Sequence, residues 1–135
     1  MRAGTAKLVP GLSSSIDART GGTPTLGNGT LTGSYLSLGS LVIVRIAFTW
    51  GSTSSAAGIT GWKFSLPVAP ATGWILNGYV VDSGTALMPA ILSDFSGSTA
   101  VLRAWNGTTY ATCSTSAPMT WANGDNFIIN GVYSV

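Results

Sequence analysis

Histidine and glutamate are absent from the sequence, and cysteine occurs once, at Cys113. Hydrolysis of the Ser/His/Asp or Cys/His type needs an imidazole to shuttle a proton, so that chemistry is excluded. One cysteine can form no internal disulfide, and with no histidine it cannot build a zinc site. Charge is also scarce: six basic and four acidic residues in 135, a net charge of +2. A nucleic-acid-binding surface needs a clustered basic patch, and this balance is too weak and too scattered to supply one. No apolar stretch reaches the ~18 residues of a membrane span. The longest, Leu41 to Phe48, is interrupted by Arg45 and has the length of a strand. The opening Met1-Arg2-Ala3-Gly4-Thr5 lacks the apolar run of a secretory leader. Neither a membrane nor a nucleic acid is expected as a partner.

The four carboxylates are Asp17, Asp82, Asp94 and Asp125. General acid–base work requires two acids held close together. These four fall in or beside turns and strand ends, where an aspartate side chain accepts bonds from nearby backbone amides. A calcium site built from Asp82, Asp94 or Asp125 would need a loop with regular ligand spacing, and no loop has it. No enzyme activity and no cofactor are expected.

Gly, Ser and Thr make up 52 of the 135 residues. Gly and Thr disfavour helices, and the missing glutamate removes a good helix former, so the composition is biased towards strands. Residues 1–29 show no sustained period and read as an extended arm. Its scattered apolar side chains, Leu8, Val9, Leu12 and Ile16, are candidates for docking on a larger surface. From Thr30 onward, short apolar runs alternate with turn residues. Eight strands are expected: Thr30–Leu36, Leu41–Trp50, Gly61–Leu66, Ile75–Asp82, Leu87–Ser93, Thr99–Trp105, Tyr110–Ser114 and Phe127–Ser134. Asn106-Gly107 supplies the positive φ angles of a two-residue hairpin turn. Strands at this spacing indicate one antiparallel β-sandwich domain over residues 30–135.

Alternation within strands assigns their faces. In Leu41–Trp50, Val42, Val44, Ile46, Phe48 and Trp50 form a core face. The opposite face carries Leu41, Ile43, Arg45 and Ala47, less polar than a solvated face would be. In Gly61–Leu66, Trp62, Phe64 and Leu66 point inward, against Lys63 and Ser65. The strands Thr99–Trp105 and Phe127–Ser134 are apolar on both sides. A lone two-layer fold buries one side of each strand, so the surplus predicts an oligomer, with Leu41, Ile43, Arg45 and Ala47 at its interface. Of the five tryptophans, Trp50, Trp62, Trp105 and Trp121 suit core or interface packing. Trp74, just after a loop, and Tyr79 are the first candidates for contact with a glycan. Cys113 reads as a small core residue.

Three segments carry a resemblance. They are Thr25-Leu26-Gly27-Asn28-Gly29-Thr30-Leu31-Thr32-Gly33-Ser34-Tyr35; the strand ending Phe48-Thr49-Trp50-Gly51-Ser52-Thr53, with Gly61-Trp62-Lys63-Phe64-Ser65-Leu66-Pro67 after it; and Pro118-Met119-Thr120-Trp121-Ala122-Asn123-Gly124-Asp125, with a last strand ending Gly131-Val132-Tyr133. Over residues 24 to 135 the chain resembles β-sandwich domains of bacteriophage virion surface proteins, especially those of phages infecting actinobacteria. The resemblance implies a jelly-roll-like sandwich, commonly trimeric, on the outside of a phage head or tail, with no catalytic residues. A chain opening at Met1 with a short arm fits a capsid decoration protein held by the major capsid protein or another virion protein. A tail-fibre or minor tail protein tip that binds a receptor or glycan is the alternative.

This reading makes residues 2–20 an attachment device separate from the fold. Deleting them is expected to abolish occupancy on capsids while leaving a folded oligomer, as measured by capsid co-sedimentation beside circular dichroism of the free protein. Unchanged occupancy refutes the docking role.

Overall fold

The computed structural model describes residues 6–7, 25–56, 61–71 and 73–135. Leu8, Val9, Leu12 and Ile16 lie outside the described residues. Nine strands occur: β1 (Ala6–Lys7), β2 (Thr30–Leu38), β3 (Leu41–Thr49), β4 (Lys63–Ser65), β5 (Leu76–Asp82), β6 (Ala86–Ser96), β7 (Thr99–Trp105), β8 (Tyr110–Thr112) and β9 (Asn126–Ser134), with no helix among the described residues. All pairings are antiparallel. The order is β1-β2-β3-β9-β5-β6-β7-β4, and β8 also pairs with β7. The fold is thus all-β and sandwich-like, as the sequence predicts. Its opposing walls belong to one continuous curled sheet.

Turn chemistry sets the hairpins. Leu38 faces Leu41 across Gly39-Ser40, and Ser96 faces Thr99 across Gly97-Ser98. Gly39 has φ +61° and Gly97 φ +60°, and neither following serine has positive φ. This is the type II′ pattern, which needs glycine at the first central position and matches the twist of the strands. The Asn106-Gly107 hairpin also forms, with Trp105 opposite Tyr110. Its loop is four residues rather than two. The Asn106 carboxamide oxygen accepts from the Thr108 and Thr109 amides at 3.0 and 2.9 Å, so the side chain closes a wider turn.

The curl is visible in the aromatic core. Strand β4 is at one end of the sheet order and β9 near its middle, yet the rings of Phe64 and Phe127 meet at 4.9 Å, edge to face. Phe48 of β3 reaches Trp62, just before β4, at 5.7 Å. Trp50 stacks on Trp62 at 5.5 Å, and Trp121 tilts against Trp62 at 4.7 Å. Val42, Val44, Ile46, Phe48, Trp62, Phe64, Leu66, Leu102, Phe127, Ile129 and Tyr133 are all buried, and Trp50 is half-buried. The inward faces read from alternation are therefore the inner wall of the curl. Offset and edge-on aromatic contacts contribute about 0.5–1.5 kcal/mol each beyond the area they bury.

Polar groups close the ends of this core. Thr25 and Ser55 exchange backbone hydrogen bonds of 2.7 and 2.9 Å. The Thr53 amide donates to Asn28 Oδ1 at 3.0 Å, and the Ser54 hydroxyl donates to the Leu26 carbonyl. Thr25 to Gly29, the described end of the 1–29 stretch, is thereby tied to the body. On another side the Tyr133 hydroxyl donates to the Val68 carbonyl at 3.0 Å, which fastens the β4–β5 connection.

Gly78 marks the tightest strand contact. A Cβ built there would overlap the Ile128 carbonyl oxygen on β9. Since that neighbour is backbone in a paired strand, it cannot move aside without loss of ladder bonds. Gly78→Ala is expected to cost about 3 kcal/mol, the upper end for an overpacked core position. Urea denaturation checks it; an unchanged midpoint contradicts the close approach.

Candidate interaction surface

Alternation commits every second residue to the outside of the curl. Strand pairing then lines these residues into rows. One row runs Leu36–Ile43–Val132 across β2, β3 and β9. The next runs Ser34–Arg45–Asn130–Asn77 and on to Ile91 and Arg103. A third runs Thr32–Ala47–Ile128–Tyr79–Pro89. A polar stripe thus lies between two mainly apolar ones.

The first row and the neighbouring Leu41 expose apolar side chains, with Leu36 half-buried. Leu41, Ile43 and Val132 are 45%, 42% and 45% exposed. Arg45 is exposed and Ala47 half-buried. Sequence reasoning put Leu41, Ile43, Arg45 and Ala47 on one face, and the structure keeps them there. It adds Leu36 and Val132, which only strand pairing could supply. A shallow groove of about 540 Å³ runs along this face, with Leu36, Ile43, Arg45, Asn130 and Val132 on its walls. Among the described residues the single ion pair is elsewhere, between Arg103 and Asp94. Arg45 is therefore free of a carboxylate partner among them, in the polar stripe beside the apolar row.

The residues considered for chemistry are dispersed. Asp125 is buried, and its carboxylate is taken up by backbone: Oδ1 accepts from Ser83 N at 2.9 Å and Oδ2 from Ala122 N at 2.6 Å. Its own carbonyl accepts from Trp50 N at 2.8 Å, so it joins three segments. This is the turn role its sequence context suggested. Asp94 is paired with Arg103, Asp82 ends β5, and Asp17 lies outside the described residues. No group of three or more His, Cys, Asp or Glu side chains converges among the described residues.

Trp74 and Tyr79, named together as glycan candidates, occupy separate surfaces. Tyr79 sits on the outer third row, opposite Ile128 and Pro89. Trp74 precedes β5, packs partly on the core and lines a different groove of about 280 Å³ with Asp94 and Phe95. Strand parity separates them. Within β5, Leu76 and Val80 point inward, so Tyr79 must point outward, away from the loop that holds Trp74. Compared with known protein families, curated proteins and solved structures, the chain has no match.

Cys113 is a core residue, as expected. It is fully buried, and burial pushes its thiol up from 9.0 to about 12. Burial also raises the Tyr133 phenol. Both groups hold their protons longer folded than unfolded. Their stabilising contribution is complete below the unfolded values and is lost as pH rises. For Cys113 that window runs from about pH 9 to 12. Two outcomes are expected: denaturation midpoints that fall through this window, and a thiol that resists iodoacetamide at pH 8 until the protein is unfolded. Rapid alkylation of the native protein contradicts the burial.

Proposed function

We propose that the protein is a non-catalytic structural module of a phage virion surface. It self-associates through the outer face of β2, β3 and β9 and attaches to a larger shell. The homotrimer implied by the sequence resemblance is the favoured form, and a capsid decoration role is favoured over a tail tip. The observation that carries the reading is the row Leu36–Ile43–Val132, extended by Leu41, in which Leu41, Ile43 and Val132 are exposed on a chain with ten charges. Contiguous apolar rows of this kind on a small protein mark interaction sites. A non-obligate interface typically has such an apolar centre with a polar rim, and Arg45 beside Asn130 supplies polar contacts at its border.

Binding only to the assembled shell would stabilise that shell by mass action, without any chemistry by the protein. The missing imidazole and the turn-bound Asp125 agree with a molecule whose work is contact. The phage assignment itself rests on the sequence segments that resemble virion surface domains.

Replacing Ile43 and Val132 together by lysine leaves the inner wall untouched and puts two desolvation-averse charges into the row. The variant is expected to keep the wild-type far-ultraviolet spectrum and to weaken self-association by about 2 kcal/mol or more, roughly thirtyfold in Kd. Sedimentation equilibrium over a concentration series measures it. A wild-type protein that stays monomeric throughout, or a variant that associates as well as wild type, refutes the assignment.

A further inference from the structure

The second groove, away from the proposed assembly face, carries a site of its own. At Ser93 to Ser96 the β6–β7 ladder slips register, and Asp94 stands in the slip with φ +52°, the one non-glycine residue of positive φ among the described residues. A bulge of this kind redirects a side chain out of the strand's regular alternation, and such backbone outliers concentrate at functional sites. The redirected carboxylate, on a side chain 55% exposed, is engaged by a neighbouring cation. Arg103, one strand over, donates to its Oδ2 from Nε at 3.0 Å and Nη2 at 2.5 Å. Oδ1 has no hydrogen-bond partner among the described residues. The carboxylate is thus oriented through one oxygen, with the other unpaired among the described residues.

Two aromatic side chains share the groove with it. Trp74 and Phe95 are both half-buried: each rests on the core and keeps part of its ring uncovered. Pro70, Gly73 and Gly97 complete the wall with little bulk. The volume of about 280 Å³ is just under the range of about 300–1,000 Å³ that drug-sized ligands occupy, so the groove suits one ring with its substituents.

From this combination we infer a saccharide-binding site formed by Trp74, Phe95 and the Arg103-oriented carboxylate of Asp94, for a neutral pyranose unit of a larger glycan. The electron-rich face of an indole attracts the slightly positive C–H face of a sugar ring. The free Oδ1 accepts hydrogen bonds from adjacent ring hydroxyls, and bonds to an ionised acceptor are the stronger kind. Arg103 holds the acceptor in position before the ligand arrives, which lowers the ordering cost of binding. A purely apolar ligand would offer Oδ1 no donor. An anionic one would meet its charge. A neutral polyol satisfies both halves of the groove. The site does not depend on the assembly proposal, since the groove shares no residue with the outer face of β2, β3 and β9.

The test is a titration of the full-length ¹⁵N-labelled protein with glucose, galactose, mannose, rhamnose and N-acetylglucosamine, following the five indole N–H resonances. At least one sugar is expected to shift the Trp74 signal in a saturable way, with the other four indoles steady. Asp94→Asn keeps the side chain's shape and tolerates the same backbone conformation. It is expected to weaken that sugar tenfold or more, as loss of a charge-assisted bond does. Phe95→Leu is expected to weaken it to a smaller degree with the spectrum otherwise retained. The inference is overturned if no sugar in the set moves the Trp74 resonance, or if the affinity is unchanged in Asp94→Asn.

Discussion

A sheet that curls on itself divides every strand between one inside and one outside. The inside of this protein is small and must be filled by side chains from strands far apart in the order. Phe48, Trp62, Phe64 and Phe127 do this by meeting ring to ring. Their contacts hold β4 against β3 and β9, and without that closure the sheet would be an open ribbon with no dry interior. The other arrangements follow from it. Asp125 can bind two amides inside because the 122–125 turn is pressed against the end of β3 and the β5–β6 hairpin. Gly78 must lack a side chain because β5 and β9 are drawn together at the centre of the curl.

The same closure explains the character of the outer wall. Once the inward positions of β3 and β9 are assigned to the core, Leu41, Ile43 and Val132 have no internal destination. That uncovered apolar row is the feature on which the proposed self-association rests. With 10 charged residues in the whole chain, hydroxyls and backbone supply much of its polar character.

Much of this architecture was legible in the sequence because strand alternation has a fixed period. The face Val42, Val44, Ile46, Phe48 and the opposing face Leu41, Ile43, Arg45 could be separated by parity alone. The positions of the hairpins were legible because glycine beside a small polar residue marks a turn. Pairing between distant strands was not legible. Nothing local indicates that β9 inserts between β3 and β5, so Val132 could not be placed beside Ile43. The groove at Trp74 was half legible: the tryptophan stood out by its loop, but Asp94 and Phe95 reach it only through a register slip that no short-range pattern announces. Tyr79 was attached to it by closeness in sequence, and strand parity sends it to the other wall. The width of the Asn106 loop was missed because a side-chain amide took over bonds that backbone would otherwise make.

The junction between Thr25–Gly29 and the 51–55 loop has a mechanical meaning. Its backbones approach so closely that a Cβ on Gly27, Gly29 or Gly51 would collide with the opposing strand of chain. Two reciprocal bonds at Thr25 and Ser55 and the clasp of Asn28 on Thr53 are made within this contact. Ahead of Thr25, Ala6–Lys7 is itself paired with β2, so the N-terminal stretch meets the body at two separate places. The joint works as a buckle: it locks the entry to β2 onto the loop that leaves β3, so the first hairpin is fastened at its open end as well as at its turn.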